Sequence, residues 1–132
     1  MGLQVGLSYT IERKVGPEYS ADKWGNPGVD VFTTPILSSW CEEAAVKAVQ
    51  DKLEPGKVTV GTRVDLKHLA ATPIGMKVKV TATLKEIVDD GRRLIFAIEA
   101  FDEKEKIGEC HHERFIVTKS RFLEKVAQKA KG

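Results

Sequence analysis

Three polar side chains interrupt apolar patterns and carry the functional groups of a hydrolytic site: Thr34, Glu42 and His68. A hydroxyl can act as a nucleophile or hold a water, a carboxylate can act as an acid or an orienting group, and an imidazole can transfer protons. Thr34 and His68 each also have a more common structural interpretation, as a helix cap and as a core histidine. Glu42 is harder to explain in that way, because a carboxylate directed into an apolar environment needs a partner or a proton.

A second group of candidates lies in the sequence His111-His112-Glu113-Arg114. Adjacent residues of a strand point to opposite faces, so this group is poorly arranged to share one metal ion. Arg114 is in phase with the apolar positions of its strand. It therefore needs an anionic partner, which is either a carboxylate such as Glu42 or a ligand.

The sequence has no phosphate-binding glycine loop, no dinucleotide fingerprint and no Gly-x-Ser-x-Gly motif. Cys41 and Cys110 are far apart in the chain and lack metal-ligand spacing, so we expect two reduced, buried thiols.

A long helix over residues 33–53 is the element that must position two of the three candidates. Apolar residues recur around much of its circumference at helical spacing, and Glu42 falls inside this apolar arc whereas Glu43 falls on the polar face. The helix begins at Thr33-Thr34-Pro35, a favourable start, and a preceding threonine can cap free amides. It ends at residues 53–56, LEPG, where proline and glycine turn the chain.

The rest of the chain is predicted to be mainly strands. Alternating apolar residues indicate a first strand over residues 5–15 and about four more between residues 58 and 117, with a hairpin turn at Asp89-Asp90-Gly91. The loop over residues 16–30 carries Trp24, which either covers a pocket or partner surface or pins the loop to the core. A short amphipathic helix follows residue 120. We therefore predict an α+β fold in which an antiparallel sheet curls around one long helix.

Such a sheet leaves its edge strands and part of the helix uncovered, which favours a homodimer. Ile36 and Trp40 lie towards the polar side of the helix and are predicted to meet the second copy.

Composition limits the other possibilities. A chain of 132 residues is expected to form a single domain, residues 1–132, with a core of its own. No apolar run has membrane-spanning length and no signal-peptide pattern is present, so cytoplasm without a membrane partner is expected. A net charge of +2 is too mild to indicate nucleic acid and is compatible with a small phosphorylated ligand.

Four stretches together resemble a known family: VFTT (31–34), LEPG (53–56), GTRVDLKHLAATPIG (61–75) and HHER (111–114). In this order and spacing they are similar to hot-dog-fold thioesterases of the fluoroacetyl-CoA type, over roughly residues 31–117. The most specific part is His-x-x-Ala-Thr-Pro-x-Gly, which begins at His68.

The resemblance implies a hot-dog fold, a homodimer, and hydrolysis of a short acyl-CoA thioester with no metal or other cofactor. The family's catalytic threonine, glutamate and histidine match Thr34, Glu42 and His68, which are the residues already selected above. Its active-site glycine and arginine match Gly61 and Arg114.

The likeness departs in the loop before the helix. The family has a lid phenylalanine there, and this chain has Gly28 near that position, with Trp24 in a different register. Trp24 could close a differently shaped substrate pocket.

We therefore predict an acyl-CoA thioesterase in which His68 polarises the thioester or activates water. Thr34 supplies a nucleophilic or water-positioning hydroxyl, and Glu42 is either general base or acyl-accepting nucleophile. The alternative is a non-catalytic dimer that binds acyl-CoA or another small ligand, with Glu42 and His68 as a structural pair. A hot-dog dehydratase would also use a histidine and a carboxylate, but it has no particular role for Thr34.

Overall fold

A five-stranded antiparallel sheet packs against one long helix in the computed structural model, which describes residues 2–132. Met1, part of the predicted domain, lies outside the described residues. The strands are β1 (Ser8–Lys14), β2 (Lys57–His68), β3 (Lys77–Val88), β4 (Arg93–Phe101) and β5 (Lys106–Thr118), and the helices are α1 (Thr34–Val49) and α2 (Lys119–Ala130). The order across the sheet is β1-β3-β4-β5-β2, so β1 and β2 are the edges.

Helix α1 forms where the predicted helix was expected and supplies one side of the core. Its inward residues are Leu37, Trp40, Cys41, Ala44, Ala45, Ala48 and Val49, all buried. Every second residue of two inner strands covers this face: Val78, Val80, Ala82 and Leu84 from β3, and Leu94, Phe96, Ile98 and Ala100 from β4. This arrangement confirms the predicted α+β class with a sheet around one helix.

The turns also follow from local sequence. Asp89, Asp90 and Gly91 all have positive φ, as the tight hairpin between β3 and β4 requires, and these residue types tolerate that conformation best. Gln50–Lys52 continues α1 as a short 3₁₀ turn before the predicted stop. Thr33 is the N-cap residue of α1 but makes no side-chain capping bond, and Thr34, for which a helix cap was the more common interpretation, is the first residue within the helix.

Trp40 does not lie on an open face, in contrast to the prediction from the helix wheel. It is 3% exposed, and its ring lies 4.8 Å from that of Phe32 and 5.4 Å from that of Tyr19. The loop before α1 folds back over this side of the helix, and Ile36 packs against the same core. A wheel drawn from one helix cannot show such cover, because it comes from outside the helix.

The apolar phase of β2 changes within the strand, which the alternation of valines did not predict. A β-bulge lies between Gly61 and Arg63 where β2 pairs with β5. The extra residue shifts the face of everything after it. As a result Val64, predicted to lie on one face with Val58, shares the face of Thr59 and Gly61 instead, where Thr59 is buried and Val64 is 41% exposed.

The first strand is shorter than predicted. It begins at Ser8, so Val5 precedes it and is 59% exposed, and Tyr9 is also exposed on this edge. Ile11 and Val15 are buried as expected.

Helix α2 confirms the predicted amphipathic helix but buries none of its residues. Phe122, Leu123 and Val126 are exposed large apolar side chains on it. No helix in residues 2–132 is long and apolar enough to span a membrane.

The two cysteines meet across the interface between helix and sheet. Cys41 of α1 and Cys110 of β5 are both free and buried. The hydrogen bond with Cys110, followed by burial, raises the pKa of the Cys41 thiol. Both are therefore core thiols, as predicted.

Candidate active site

Thr34 and His68 meet although 34 residues separate them in the chain. Thr34 is the first residue of α1 and His68 is the last residue of β2. The Thr34 hydroxyl Oγ1 lies 2.7 Å from Nδ1 of His68, within hydrogen-bonding distance. The hydroxyl of Thr34 is thus engaged by an imidazole. We call these two residues the Thr–His pair.

The second ring nitrogen of His68 has no partner. Nε2 is buried and accepts or donates no hydrogen bond within the described residues. Burial lowers the pKa of the imidazole below its ordinary value, so the ring is neutral at pH 7. A buried polar atom without a partner is uncommon in native structures and marks a place where a water or ligand atom belongs. His68 therefore offers a free nitrogen to a bound molecule.

A pocket of about 630 Å³ opens beside the Thr–His pair. Its walls come from the loop before α1 and from residues 68–71, and Trp24 is part of the lining. Trp24 is 51% exposed, and its indole Nε1 donates to the carbonyl of Glu18 at 2.9 Å. That bond holds the ring at the pocket rather than in the core. Of the two predicted alternatives, this position agrees with the one in which Trp24 covers a pocket.

The same loop explains why the chain carries glycine near the lid position. Gly28 has φ of +85°, a backbone conformation that a phenylalanine would adopt only with strain. Its N–H donates to Oδ1 of Asp22 at 2.6 Å, which fixes the conformation.

Glu42 lies in a different group, with Gly61 and Arg114. Its Oε1 is 3.8 Å from Nη1 of Arg114. A Cβ built on Gly61 would approach both that oxygen and Arg114 Nη1 to 3.2 Å, so a larger residue would crowd the pair. The Glu42 side chain is 40% exposed, so the predicted burial was wrong. This face of α1 stays open because Gly61, which lies opposite, has no side chain to cover it.

Arg114 is held in place by neutral groups. Its Nε and Nη2 donate to Oγ1 and the carbonyl of Thr59 at 2.8 and 3.0 Å, and Nη1 donates to Nε2 of His112 at 3.0 Å. His112 Nδ1 is 2.7 Å from the carbonyl of Arg63, so Nδ1 carries the proton and Nε2 accepts. Burial lowers the pKa of His112 and keeps it neutral for this purpose.

The result is a buried cation whose charge is only partly balanced. Burial lowers the pKa of the Arg114 guanidinium and nearby Glu42 opposes this, yet an arginine stays protonated at pH 7. Within residues 2–132 the one carboxylate that lies within 4 Å of it is that of Glu42, which is half-exposed and 3.8 Å away. We call Glu42, Gly61, Arg114 and His112 the Glu–Arg cluster; it can receive an anion or a developing negative charge.

The sequence anticipated Arg114 but missed its support. Thr59 was overlooked because the alternating valines on either side of it indicated that their own face was the buried one. His111 and Glu113 lie on the opposite face, where Glu113 accepts from His111 at 2.7 Å and Arg93 at 2.8 Å. This confirms that adjacent residues of the stretch 111–114 point to opposite faces of β5. No three metal-ligating side chains within residues 2–132 converge on one point.

A single chain keeps the Thr–His pair apart from the Glu–Arg cluster. Thr34 and Glu42 are eight residues apart on α1, which corresponds to about 12 Å along the helix axis. Within the described residues no hydrogen bond joins Glu42 to Thr34 or His68. One chain therefore holds two separate groups of polar side chains.

Comparison with known proteins places this arrangement in a family. The model of the FlK family, described as fluoroacetyl-CoA-specific thioesterase, matches residues 15–120. A fluoroacetyl-CoA thioesterase of Streptantibioticus cattleyicolor is 40% identical over 97% of this chain and 95% of its own length.

Solved structures agree in fold. A variant of the fluoroacetyl-CoA-specific thioesterase FlK in complex with fluoroacetate and CoA superposes with a TM-score of 0.82 at 34% identity, covering 91% of this chain and 99% of its own. A hot-dog-like protein from Thermanaerovibrio acidaminovorans superposes with a TM-score of 0.87 at 23% identity, covering 96% and 93%. The predicted hot-dog fold is confirmed.

Proposed function

The chain belongs to the fluoroacetyl-CoA-specific thioesterase family, and from that premise we propose that it hydrolyses a short-chain acyl-CoA thioester to the free acid and CoA. The observation that carries the proposal is the Thr34–His68 hydrogen bond at the pocket, with Nε2 of His68 left unpaired. A hydroxyl activated or oriented by a neutral imidazole is the arrangement that acyl transfer needs.

The Thr–His pair supports two related roles. If Thr34 donates to Nδ1, then Nε2 carries the proton and polarises the thioester carbonyl. In the other tautomer Nδ1 donates to Thr34, and Nε2 accepts a proton from the attacking water. In either case oxygen attacks the carbonyl carbon, the carbon–sulfur bond breaks, and the CoA sulfur leaves as the thiol after taking up a proton.

In this proposal, Glu42 reaches the Thr–His pair from a second copy of the chain. Strand β2 is an edge with a run of exposed residues at its centre, and an uncovered edge favours pairing with another strand. Antiparallel pairing of two β2 edges around a two-fold axis that passes through Asp65, with Thr62 as the extra residue of the bulge, would set the partner's Gly61 opposite His68. The Glu–Arg cluster of one subunit would then complete the Thr–His pair of the other. We accordingly propose a homodimer with two composite sites.

Within such a site the roles divide by chemistry. The carboxylate of Glu42 serves as the general base for water or as the acyl-accepting nucleophile. Arg114 contributes positive charge, and the close approach permitted by Gly61 leaves space for the thioester. Trp24 closes the acyl pocket from the loop side. The proposal uses side chains alone, so we expect turnover to persist with a chelator, and we place the enzyme in the cytoplasm.

The test is a thiol-release assay across acetyl-, fluoroacetyl-, propionyl-, branched and aromatic acyl-CoAs. His68→Ala should lower kcat/KM by about 10²-fold or more, the usual effect of removing a positioned acid–base group. His111→Ala is the matched control, because that imidazole lies on the opposite face with Glu113, and it should leave turnover unchanged.

The rival function gives a different result. A non-catalytic binding dimer would show thermal stabilisation by acyl-CoA with no thiol released by the wild type. Equal turnover of wild type and His68→Ala would reject the assignment of the Thr–His pair even if the thioesterase activity is real.

The dimer has its own test. Val64→Arg would place a charged side chain against the partner's β2 beside the proposed two-fold axis, in both copies, so we expect a monomer by light scattering and loss of thiol release. Ser8→Arg adds the same charge to the other edge strand and should remain dimeric and active. A dimeric, fully active Val64→Arg variant would contradict the composite site.

A further inference from the structure

A groove of about 420 Å³ lies between α2 and the far end of the sheet, away from the Thr–His pair. Four cationic side chains line it, Lys57, Arg92, Arg121 and Lys125, and no acidic side chain does. Its apolar part includes Ile116 and Phe122. We call it the α2 groove.

The four cations lack carboxylate partners. Within residues 2–132, no Asp or Glu oxygen lies within 4.0 Å of any of them, whereas other cations such as Arg13, Arg93 and Lys106 are paired in this way. Lys57 donates instead to the hydroxyl of Thr118 at 2.8 Å. A neighbouring cavity shares Lys57 and Arg92 and adds Lys52, but it also includes Glu54 and Asp90, so the excess of positive charge is larger on the α2 side.

The cations are also positioned by the fold. The Arg92 guanidinium lies 5.9 Å from the centre of the Phe115 ring, which holds it at the start of β4. Arg121 and Lys125 are four residues apart on α2 and therefore project from the same side of the helix. Four like charges brought together in this way repel one another unless an anion binds between them.

Phe122 adds a different kind of contact. It is 37% exposed and forms part of the apolar lining with Ile116. An exposed aromatic ring beside several cations is the combination that binds nucleotides, because the base stacks on the ring and the phosphates meet the charges.

We propose that the α2 groove binds the 3′-phosphorylated ADP portion of the acyl-CoA substrate. This rests on the proposed function, which makes CoA the substrate. CoA combines an adenine with a diphosphate and a 3′-phosphate, and so matches both the apolar and the cationic parts of the groove. Lys57 and His68 are at opposite ends of β2, about 35 Å apart for an extended strand. The groove that serves one Thr–His pair is therefore the partner's, because antiparallel β2 pairing brings the partner's Lys57 to the His68 end.

The test compares substrates with and without the nucleotide. In the double variant Arg121→Ala/Lys125→Ala, KM for acyl-CoA should rise about tenfold, while kcat/KM for the same acyl group on pantetheine stays unchanged. Lys119→Ala/Lys129→Ala is the matched control, since it removes the same charge from the same helix outside the groove. KM for acyl-CoA should change little in that control.

Direct binding separates this inference from the proposed function. Wild type should bind 3′-phosphoadenosine 5′-diphosphate more tightly than ADP or inorganic phosphate in calorimetry, and the groove variant should lose the preference. This holds even if no acyl-CoA is hydrolysed, an outcome that would reject the thioesterase alone. Equal KM changes in both double variants, no nucleotide binding by wild type, or binding of anionic phosphatidylserine vesicles in its place would overturn the assignment.

Discussion

Two neighbouring glutamates of α1 should respond in opposite ways to loss of charge. Glu43 accepts from Arg13 of β1, with Nη1 at 2.8 Å and Nη2 closer, and pairs with Lys47 at 2.9 Å. It therefore links the long helix to an edge strand. Glu42 makes only the 3.8 Å approach to Arg114. We expect Glu43→Gln to reduce stability and spare catalysis, and Glu42→Gln to do the reverse.

The size of the stability effect follows from the pKa of Glu43. The hydrogen bond from Arg13, and then that from Lys47, lowers this pKa from 4.5 to about 2. One pKa unit corresponds to about 1.4 kcal/mol, so this lowering of the Glu43 pKa corresponds to a stabilisation of the folded state by about 3 kcal/mol at most. The side chain is 32% exposed, so solvent screening reduces the expected contribution to about 1–2 kcal/mol.

The sign of the pH dependence is determined by the lowered pKa. The stabilisation is fully present above the unfolded value of 4.5 and is lost as the pH falls towards 2. Urea unfolding followed by tryptophan fluorescence should therefore show a gap of about 1–2 kcal/mol between wild type and Glu43→Gln at pH 7. The gap should narrow between pH 4.5 and pH 2.

The same two variants should also differ in catalytic activity. Glu43→Gln should keep wild-type kcat/KM with the best acyl-CoA. Glu42→Gln should lose about 10²-fold in kcat/KM, with a change in unfolding free energy below about 1 kcal/mol because its ion pair is long and half-exposed. Equal activities of the two variants would return Glu42 to a structural role. A stability gap that persists at pH 2 would refute the ion-pair origin of the Glu43 effect.

Two further predictions concern the same site. Because burial lowers the pKa of His68, the acidic limb of the kcat/KM profile should have its midpoint below pH 6.5; activity is present above it and lost below it, and a midpoint above 6.5 would contradict a neutral His68. Gly61→Ala would crowd Glu42 and Arg114 at 3.2 Å and should lower kcat/KM for acyl-CoA, whereas Gly56→Asn, in an open turn with φ of +82°, should leave it unchanged. Similar activities of these two variants would show that the close approach at Gly61 has no role.

The local sequence was sufficient to predict the elements whose signal lies in their own residues. The alternation from Val78 to Leu84 predicted a strand with one buried face, because the two faces of a strand separate at a period of two. Asp89-Asp90-Gly91 predicted its turn, since those residue types accept positive φ. Thr34, Glu42 and His68 could be selected because polar groups in apolar patterns need an explanation of their own.

Tertiary structure decided what covers each face and which polar groups meet. Trp40 is buried by a loop that no helix wheel contains, and Glu42 stays half-exposed because Gly61 leaves it uncovered. The bulge in β2 put Val64 on the same face as Thr59, whose hydroxyl accepts a hydrogen bond from Arg114. Burial and pairing depend on contacts between segments distant in the chain, and such contacts leave no periodic signal in either segment.

The same reasoning applies to the site as a whole. The sequence supplied a hydroxyl, an imidazole and a carboxylate, but only the fold shows that Thr34 joins His68 while Glu42 joins Arg114. The physical reason is that an α-helix rises about 1.5 Å per residue, so the eight residues between Thr34 and Glu42 separate these two functional groups by about two turns.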